Sequence, residues 1–142
     1  MSAAIQIQLD FRSGLPIYLQ ITEQIRTLVA EGRLKPGDQL PTVRQMATDL
    51  RVNFNTVARA YRLLDEAGLI STQQGRGTYI WQMPDEATSS QFRYESLQAL
   101  AHRFVKDSAR LGFTLEETQA AIARHWQETQ TDMTEREEQN ED

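Results

Sequence analysis

The spacing of apolar side chains predicts three helices in the first half of the chain. Ile17, Ile21 and Ile25 recur every four residues and define one face of a first helix. A second apolar face lies in residues 43–50 and a third in residues 57–64. Because the last two segments are separated by only a few polar residues, the pattern predicts a helix-turn-helix.

Polar and glycine residues indicate where these elements begin and end. Thr42 precedes a glutamine by three residues, which is capping-box spacing, and Asn53 is a suitable N-cap for the third helix. Residues 69–74 and 77–81 are short β-prone runs on either side of a Gly-Arg-Gly turn, and they predict a two-stranded hairpin. A helix-turn-helix followed by a hairpin is a winged helix-turn-helix, which we expect over residues 10–82.

Three predictions concern the ends of this domain and the rest of the chain. Residues 5–11 alternate apolar and polar side chains and predict a short strand. The polar, small-residue segment 85–91 predicts a hinge, and residues 88–127 predict two amphipathic helices, with Thr114 capping the second. The acidic segment 128–142 has almost nothing apolar and predicts a disordered tail.

The two C-terminal helices are too short to bury both of their apolar faces against each other. A second copy of the chain is the simplest cover, so we expect a two-helix dimerisation hairpin. The candidate dimerisation residues are Leu97, Leu100, Phe104, Leu111, Leu115, Ile122 and Trp126. The predicted fold class is therefore α+β and mainly helical: an N-terminal winged helix-turn-helix followed by this hairpin.

Charge is distributed unevenly along the 142 residues. The net charge is −5, but residues 1–84 hold nine Lys/Arg against seven Asp/Glu, net +2, and residues 85–142 hold six against thirteen, net −7. The acidic half repels phosphate, so global acidity is weak evidence against DNA binding. The chain has no cysteine, no long apolar run and no evident secretory signal, which together favour the cytoplasm and no membrane contact.

The polar residues around the helix-turn-helix and the wing suit double-stranded DNA. Arginine suits phosphate and guanine, asparagine suits adenine, and threonine suits phosphate or the thymine methyl. Glycines in a wing let the backbone approach a groove, where an arginine between them can enter the minor groove. The candidate DNA-binding residues are Thr42, Arg44, Asn53, Phe54, Asn55, Thr56, Arg59, Gly75, Arg76 and Gly77.

Each of these features also has a structural interpretation. Arg44 can be a solvated helix arginine paired with Asp49, and Asn53 is better explained as a cap than as a base contact. A Gly-Arg-Gly run can be only a hairpin turn. The alternative for the whole domain is a winged-helix module for protein–protein docking without DNA, which predicts an acidic or apolar outer face on the third helix.

The sequence contains no set of residues for catalysis, a metal or a cofactor. His102 and His125 lie on separate predicted helices without thiols and are interpreted as helix-face or interface residues. Phe104 and Trp126 could line a pocket, but aromatic residues at helical spacing more often belong to an interface. A small-molecule effector is therefore conceivable but has no residue pattern to support it, and an enzyme is not expected.

Four motifs in order resemble the GntR family of bacterial transcription regulators. They are Pro16-Ile17-Tyr18-Leu19-Gln20-Ile21, Leu40-Pro41-Thr42-Val43-Arg44, the recognition helix from Asn53 to Tyr61, and Gly75-Arg76-Gly77. Many relatives have an arginine-rich start to the recognition helix, where this chain has Asn-Phe-Asn. The short two-helix appendage is similar to the YtrA-like branch. This resemblance implies a dimeric repressor, often of transport genes, on a pseudo-palindromic operator.

Overall fold

The structure is a computed structural model that describes residues 5–140, with side chains described through residue 136. In chain order the elements are α1 (Ile17–Ala30), β1 (Gln39–Leu40), α2 (Val43–Leu50), α3 (Phe54–Glu66), β2 (Ile70–Gln73), β3 (Gly77–Ile80), α4 (Glu86–Arg110) and α5 (Leu115–Asn140). The predicted α+β, mainly helical class and the winged helix-turn-helix are confirmed. The chain divides into two compact units, one ending at Leu100 and one beginning at Ala101.

The wing is a three-stranded antiparallel sheet in the order β1-β3-β2. The predicted hairpin is present, with Ile70 opposite Ile80 and Gln73 opposite Gly77. The sequence did not predict β1, whose Gln39 lies opposite Tyr79. β1 has only two residues, which are too few to show an alternation of apolar and polar side chains. Its pairing depends on β3, which lies almost forty residues later in the chain. β1 joins the segment before α2 directly to the wing.

One hydrophobic core holds α1, α3 and the sheet together. Its most deeply buried side chains are Ile21, Ile25, Val29, Leu34, Leu40, Val57, Leu64, Leu69 and Ile80. The apolar faces predicted for the first and third helices are the faces that are buried here. Tyr61 of α3 reaches from this core to the start of α2, where its hydroxyl donates a hydrogen bond of 2.6 Å to the carbonyl of Pro41. Burial raises the pKa of Tyr61 above its ordinary value, so the hydroxyl keeps its proton.

We expect Tyr61→Phe to lower the free energy of unfolding by about 1–3 kcal/mol, because it leaves the Pro41 carbonyl without its donor. Chemical denaturation of the wild type and the variant measures the difference. Tyr79→Phe is the matched control, since the Tyr79 hydroxyl donates to the carbonyl of exposed Arg76. Equal losses in both variants would contradict a specific role for the Tyr61 bond.

The strand predicted for residues 5–11 is not formed, although its burial pattern is. Ile5, Ile7 and Leu9 are half-buried against the core, and the residues between them are exposed. The backbone of Gln8 bonds to the side chain of Gln24 on α1, donating at 2.9 Å and accepting at 2.7 Å. Because a helix side chain satisfies this backbone, the segment is extended without a partner strand.

The predicted hinge at residues 85–91 is wrong, since α4 already begins at Glu86. The side chain of Asp85 accepts a hydrogen bond of 2.7 Å from the Thr88 amide, which caps the helix and lowers the pKa of that carboxyl. Phe92 is buried in the same core as α1 and α3. Ser89 accepts a bond of 3.3 Å from Arg26 on α1. The start of α4 is therefore part of the first unit.

The second unit contains the end of α4 and all of α5. Thr114 caps α5 as predicted, accepting from the Glu117 amide at 3.2 Å while Glu117 Oε1 accepts from the Thr114 amide at 3.2 Å. α5 continues to Asn140, whereas the sequence predicted disorder from residue 128; residues 141–142 lie outside the described part. Glutamate, glutamine and arginine are good helix formers, which explains how α5 continues through an acidic segment that holds only one apolar residue, Met133.

Candidate nucleic-acid interface

The start of α2 is fixed by a complete capping box. Thr42 Oγ1 accepts from the Gln45 amide at 3.0 Å, and Gln45 Oε1 accepts from the Thr42 amide at 2.9 Å. This box uses Thr42 as a cap, and its exposed hydroxyl still has a hydrogen to donate. It also sets the first turn of α2, from which the side chain of Arg44 extends into solvent.

Arg44 and Phe54 line one shallow depression between α2 and α3. Thr48 and Val52 lie beside them. Phe54 is 50% exposed although it is aromatic, so the fold does not use most of its ring. Among the side chains described, no carboxylate is within ion-pair distance of Arg44, and the pairing with Asp49 is not formed. The depression therefore presents a cation beside an apolar surface.

Asn53 is the N-cap of α3, as the sequence predicted. Its Oδ1 accepts from the Asn55 amide at 2.8 Å, so this oxygen of Asn53 is committed to the cap. The side chain of Asn55 is exposed in the first turn, and that of Thr56 is half-buried beside it. Asn55 is the better placed of the two asparagines for a hydrogen bond to a base edge.

The outer face of α3 carries Asn55, Arg59 and Arg62 at intervals of about one turn, and all three are exposed. The guanidinium carbon of Arg59 lies 3.9 Å from the centroid of the Tyr18 ring on α1. This face is polar and basic, whereas a protein-docking module was expected to present an acidic or apolar one. The recognition face is therefore compatible with phosphate and base edges.

The wing tip is held by two side chains that the sequence did not single out. The carbonyl of Arg76 accepts from Gln39 Nε2 at 3.2 Å and from the Tyr79 hydroxyl at 2.9 Å. Gly77 has a φ of +117°, and the side-chain amide of Gln39 occupies the space that a Cβ would need. The positive φ favours glycine at Gly77, as does the φ of +77° at Gly75, and a Cβ at Gly77 would displace the Gln39 amide. The Arg76 side chain remains exposed.

Metal-binding clusters and membrane-spanning helices are absent from the described part of the chain. Among residues 5–136, whose side chains are described, no group of three or more His, Asp or Glu side chains could hold a metal ion. His125 lies 3.1 Å from Glu128 on the exposed surface of α5, in keeping with a helix-face residue. None of the helices described is long and apolar enough to cross a membrane.

Comparison with known proteins agrees with this geometry. Residues 17–80 match the family described as bacterial regulatory proteins, gntR family. The chain is 53% identical over 74 residues to the HTH-type transcriptional repressor YtrA of Bacillus subtilis (strain 168), covering 52% of this chain and 57% of that repressor. It is 37% identical over 108 residues to the uncharacterized HTH-type transcriptional regulator YhcF of the same organism, covering 76% of this chain and 88% of that regulator.

The chain belongs to the GntR family. Its YtrA-like character is supported by a solved structure, YtrA from Sulfolobus acidocaldarius, a GntR-family transcription factor, with a TM-score of 0.52 and 41% identity over 67% of this chain and 97% of that one. This GntR chain is a transcriptional regulator with a DNA-binding domain, and it is not an enzyme.

Three residues of this GntR domain support its candidate DNA-contact residues from outside the predicted set. Tyr18 stacks on Arg59, and Gln39 and Tyr79 hold the wing tip. Tyr18 is part of the first of the four sequence motifs that resemble the GntR family. No local pattern in the sequence links Tyr18 or Gln39 to its partner, because both contacts join elements that are far apart in the chain, whereas Tyr79 bonds to a carbonyl only three residues earlier.

Proposed function

We propose that the protein is a homodimeric transcriptional repressor that binds a pseudo-palindromic operator. The observation that carries the proposal is the set of exposed polar side chains on three neighbouring elements of one unit: Arg44 on α2, Asn55 and Arg59 on α3, and Arg76 on the wing. None of them is needed to bury the core. They suit DNA because their donors match phosphate oxygens and base edges.

In the proposed complex, the N-terminal part of α3 enters the major groove. Arg44, Asn55, Thr56 and Arg59 contact bases and phosphates there, and Arg76 enters the adjacent minor groove. Two copies of α3 would occupy successive major grooves about 34 Å apart, which requires two half-sites related by a two-fold axis. The operator symmetry therefore depends on a symmetric dimer.

A second copy of the chain is the proposed cover for α4 and α5. All seven predicted dimerisation residues are exposed in the single chain, including Leu111 and Leu115 at 71% each. An apolar surface of this kind marks an interaction site. The net charge of −7 over residues 85–142 makes DNA an unsuitable partner for this surface. A two-fold symmetric interface needs only one self-complementary patch, which a second copy supplies.

Repression, cytoplasmic location and control of transport genes belong to the same proposal. The relative YtrA is named a repressor. A regulator bound at its operator blocks transcription without needing any further activity. The family resemblance supports transport genes as targets, and the absence of cysteine suits the cytoplasm. Selection of bound fragments from random DNA by the purified protein identifies the operator, and the promoters that contain it identify the genes.

Arg44→Ala and Arg76→Ala are each expected to weaken operator binding by about 1–3 kcal/mol, because each removes a guanidinium group that contacts a base edge or a phosphate in the proposed complex. Measuring Kd at increasing salt concentrations distinguishes a contact to a phosphate from a contact to a base edge. If Arg44 binds a phosphate, the slope of log Kd against the logarithm of the salt concentration is smaller by about one in Arg44→Ala than in the wild type. Both variants are expected to unfold at the wild-type temperature, since both side chains are exposed.

Arg33→Ala is the matched control, because it removes the same charge from an exposed position outside the candidate set. Its operator affinity is expected to stay close to that of the wild type. If all three variants bind alike, Arg44 and Arg76 do not contact DNA. A wild-type affinity that does not depend on salt would instead favour the protein-docking alternative.

A further inference from the structure

Arg59 is the only candidate DNA-contact arginine that has an aromatic partner in the described part of the chain. Its guanidinium carbon lies 3.9 Å from the centroid of the Tyr18 ring. Tyr18 is the second residue of α1 and is half-buried, with its ring packed against the core. Arg59 is exposed on the outer face of α3. The contact therefore joins a supported ring to a solvent-facing cation.

Stacking on a ring leaves the donors of an arginine available. The five N–H groups of a guanidinium lie in its plane, whereas a cation–π contact uses its face. The arginines whose side chains form hydrogen bonds or ion pairs in the described part are Arg26, Arg103, Arg110 and Arg124. Arg59 is not among them. Its side chain is held in place while its donors are uncommitted.

A restrained arginine is suited to recognition because less side-chain freedom is lost on binding. A free arginine has several rotatable bonds and must be ordered by the DNA itself. The Tyr18 ring removes part of that cost before DNA arrives, since it already favours one region for the guanidinium. The ring does so from α1, an element that carries none of the candidate DNA contacts.

We propose that Tyr18 is a positioning residue for DNA recognition, holding the Arg59 guanidinium on the outer face of α3. The inference rests on the proposed function, in which α3 contacts the operator. It adds a specific residue of α1 to the recognition machinery, acting through Arg59. The competing explanation is that the pair only fastens α1 to α3, in which case its loss lowers stability and leaves affinity unchanged.

The first test compares Tyr18→Phe and Tyr18→Leu in the full-length protein, with the duplex selected by the wild type as the probe. Tyr18→Phe keeps the ring and is expected to bind within about twofold of the wild type. Tyr18→Leu keeps an apolar side chain without the ring and is expected to bind about two- to fivefold more weakly. Thermal unfolding of each variant shows whether the fold is retained. An equal loss in both variants would assign the effect to the hydroxyl and overturn the proposal.

The second test is a double-mutant cycle with Arg59→Ala. If Tyr18 acts through Arg59, Tyr18→Leu has no further effect on affinity once Arg59 is alanine. An unchanged effect of Tyr18→Leu in the alanine background overturns the inference, as does an Arg59→Ala variant with wild-type affinity. Both results leave salt-dependent DNA binding by the wild type intact. Failure of the wild type to select any duplex would overturn the proposed function itself.

Discussion

A protein carrying Ile122→Asp and Trp126→Asp is expected to be monomeric, and its affinity for an operator with two half-sites is expected to fall by about 10²–10⁴-fold. Both side chains are apolar and exposed in the single chain, Trp126 at 68%. Carboxylates at these positions cannot be buried against a second copy without large desolvation costs. Without the dimer, the second half-site is no longer bound at a high effective concentration.

Sedimentation equilibrium measures the oligomeric state, and Kd for duplexes with one or two half-sites measures the loss. Ala120→Asp with Thr131→Asp is the matched control, because it adds the same charge on the opposite side of α5. The control is expected to remain dimeric. A dimeric Ile122/Trp126 variant with full affinity would show that the interface lies elsewhere on the molecule.

Replacing Phe92 with alanine is expected to lower the free energy of unfolding by about 3–5 kcal/mol, because it leaves a cavity in the core of the DNA-binding unit. Phe92 is 4% exposed and belongs to the same buried cluster as α1 and α3. Chemical denaturation at a fixed protomer concentration measures the loss, since dimerisation makes stability depend on concentration.

Arg93→Ala is the control for Phe92→Ala, because it alters the adjacent exposed residue on the same helix. We expect it to change stability by less than about 0.5 kcal/mol. An unchanged stability for Phe92→Ala would support the flexible hinge that the sequence predicted at residues 85–91. If Phe92 is part of the core, a monomeric truncation should end after Leu100 and not at Pro84, because the shorter chain also loses this packing.

The helix starts could be predicted because capping is local. Thr42, Asn53 and Thr114 each accept a hydrogen bond from an amide two or three residues later, and the sequence contains both partners within one turn. The apolar faces of the first three helices were predictable for a similar reason. Their period is a property of the helix itself and does not depend on which surface covers it.

The hinge and the disordered tail were predicted from composition, which gives weaker information. Residues 85–91 are polar, but Asp85 caps a helix whose fixed position comes from Phe92 further along. Residues 128–140 contain one apolar side chain, Met133, and they contain good helix formers that extend a helix already begun at Leu115. In both segments the neighbouring element decided the conformation.

The sequence by itself determined the class of the protein, the order of its elements and the candidate DNA-contact residues. These follow from local periodicity, caps and motifs. Only the tertiary structure decided which distant side chains support this framework: Tyr18 beside Arg59, Gln39 at the wing tip, and Phe92 of α4 in the core. Each of these contacts forms when the core brings distant segments together, so no local pattern in the chain could specify it.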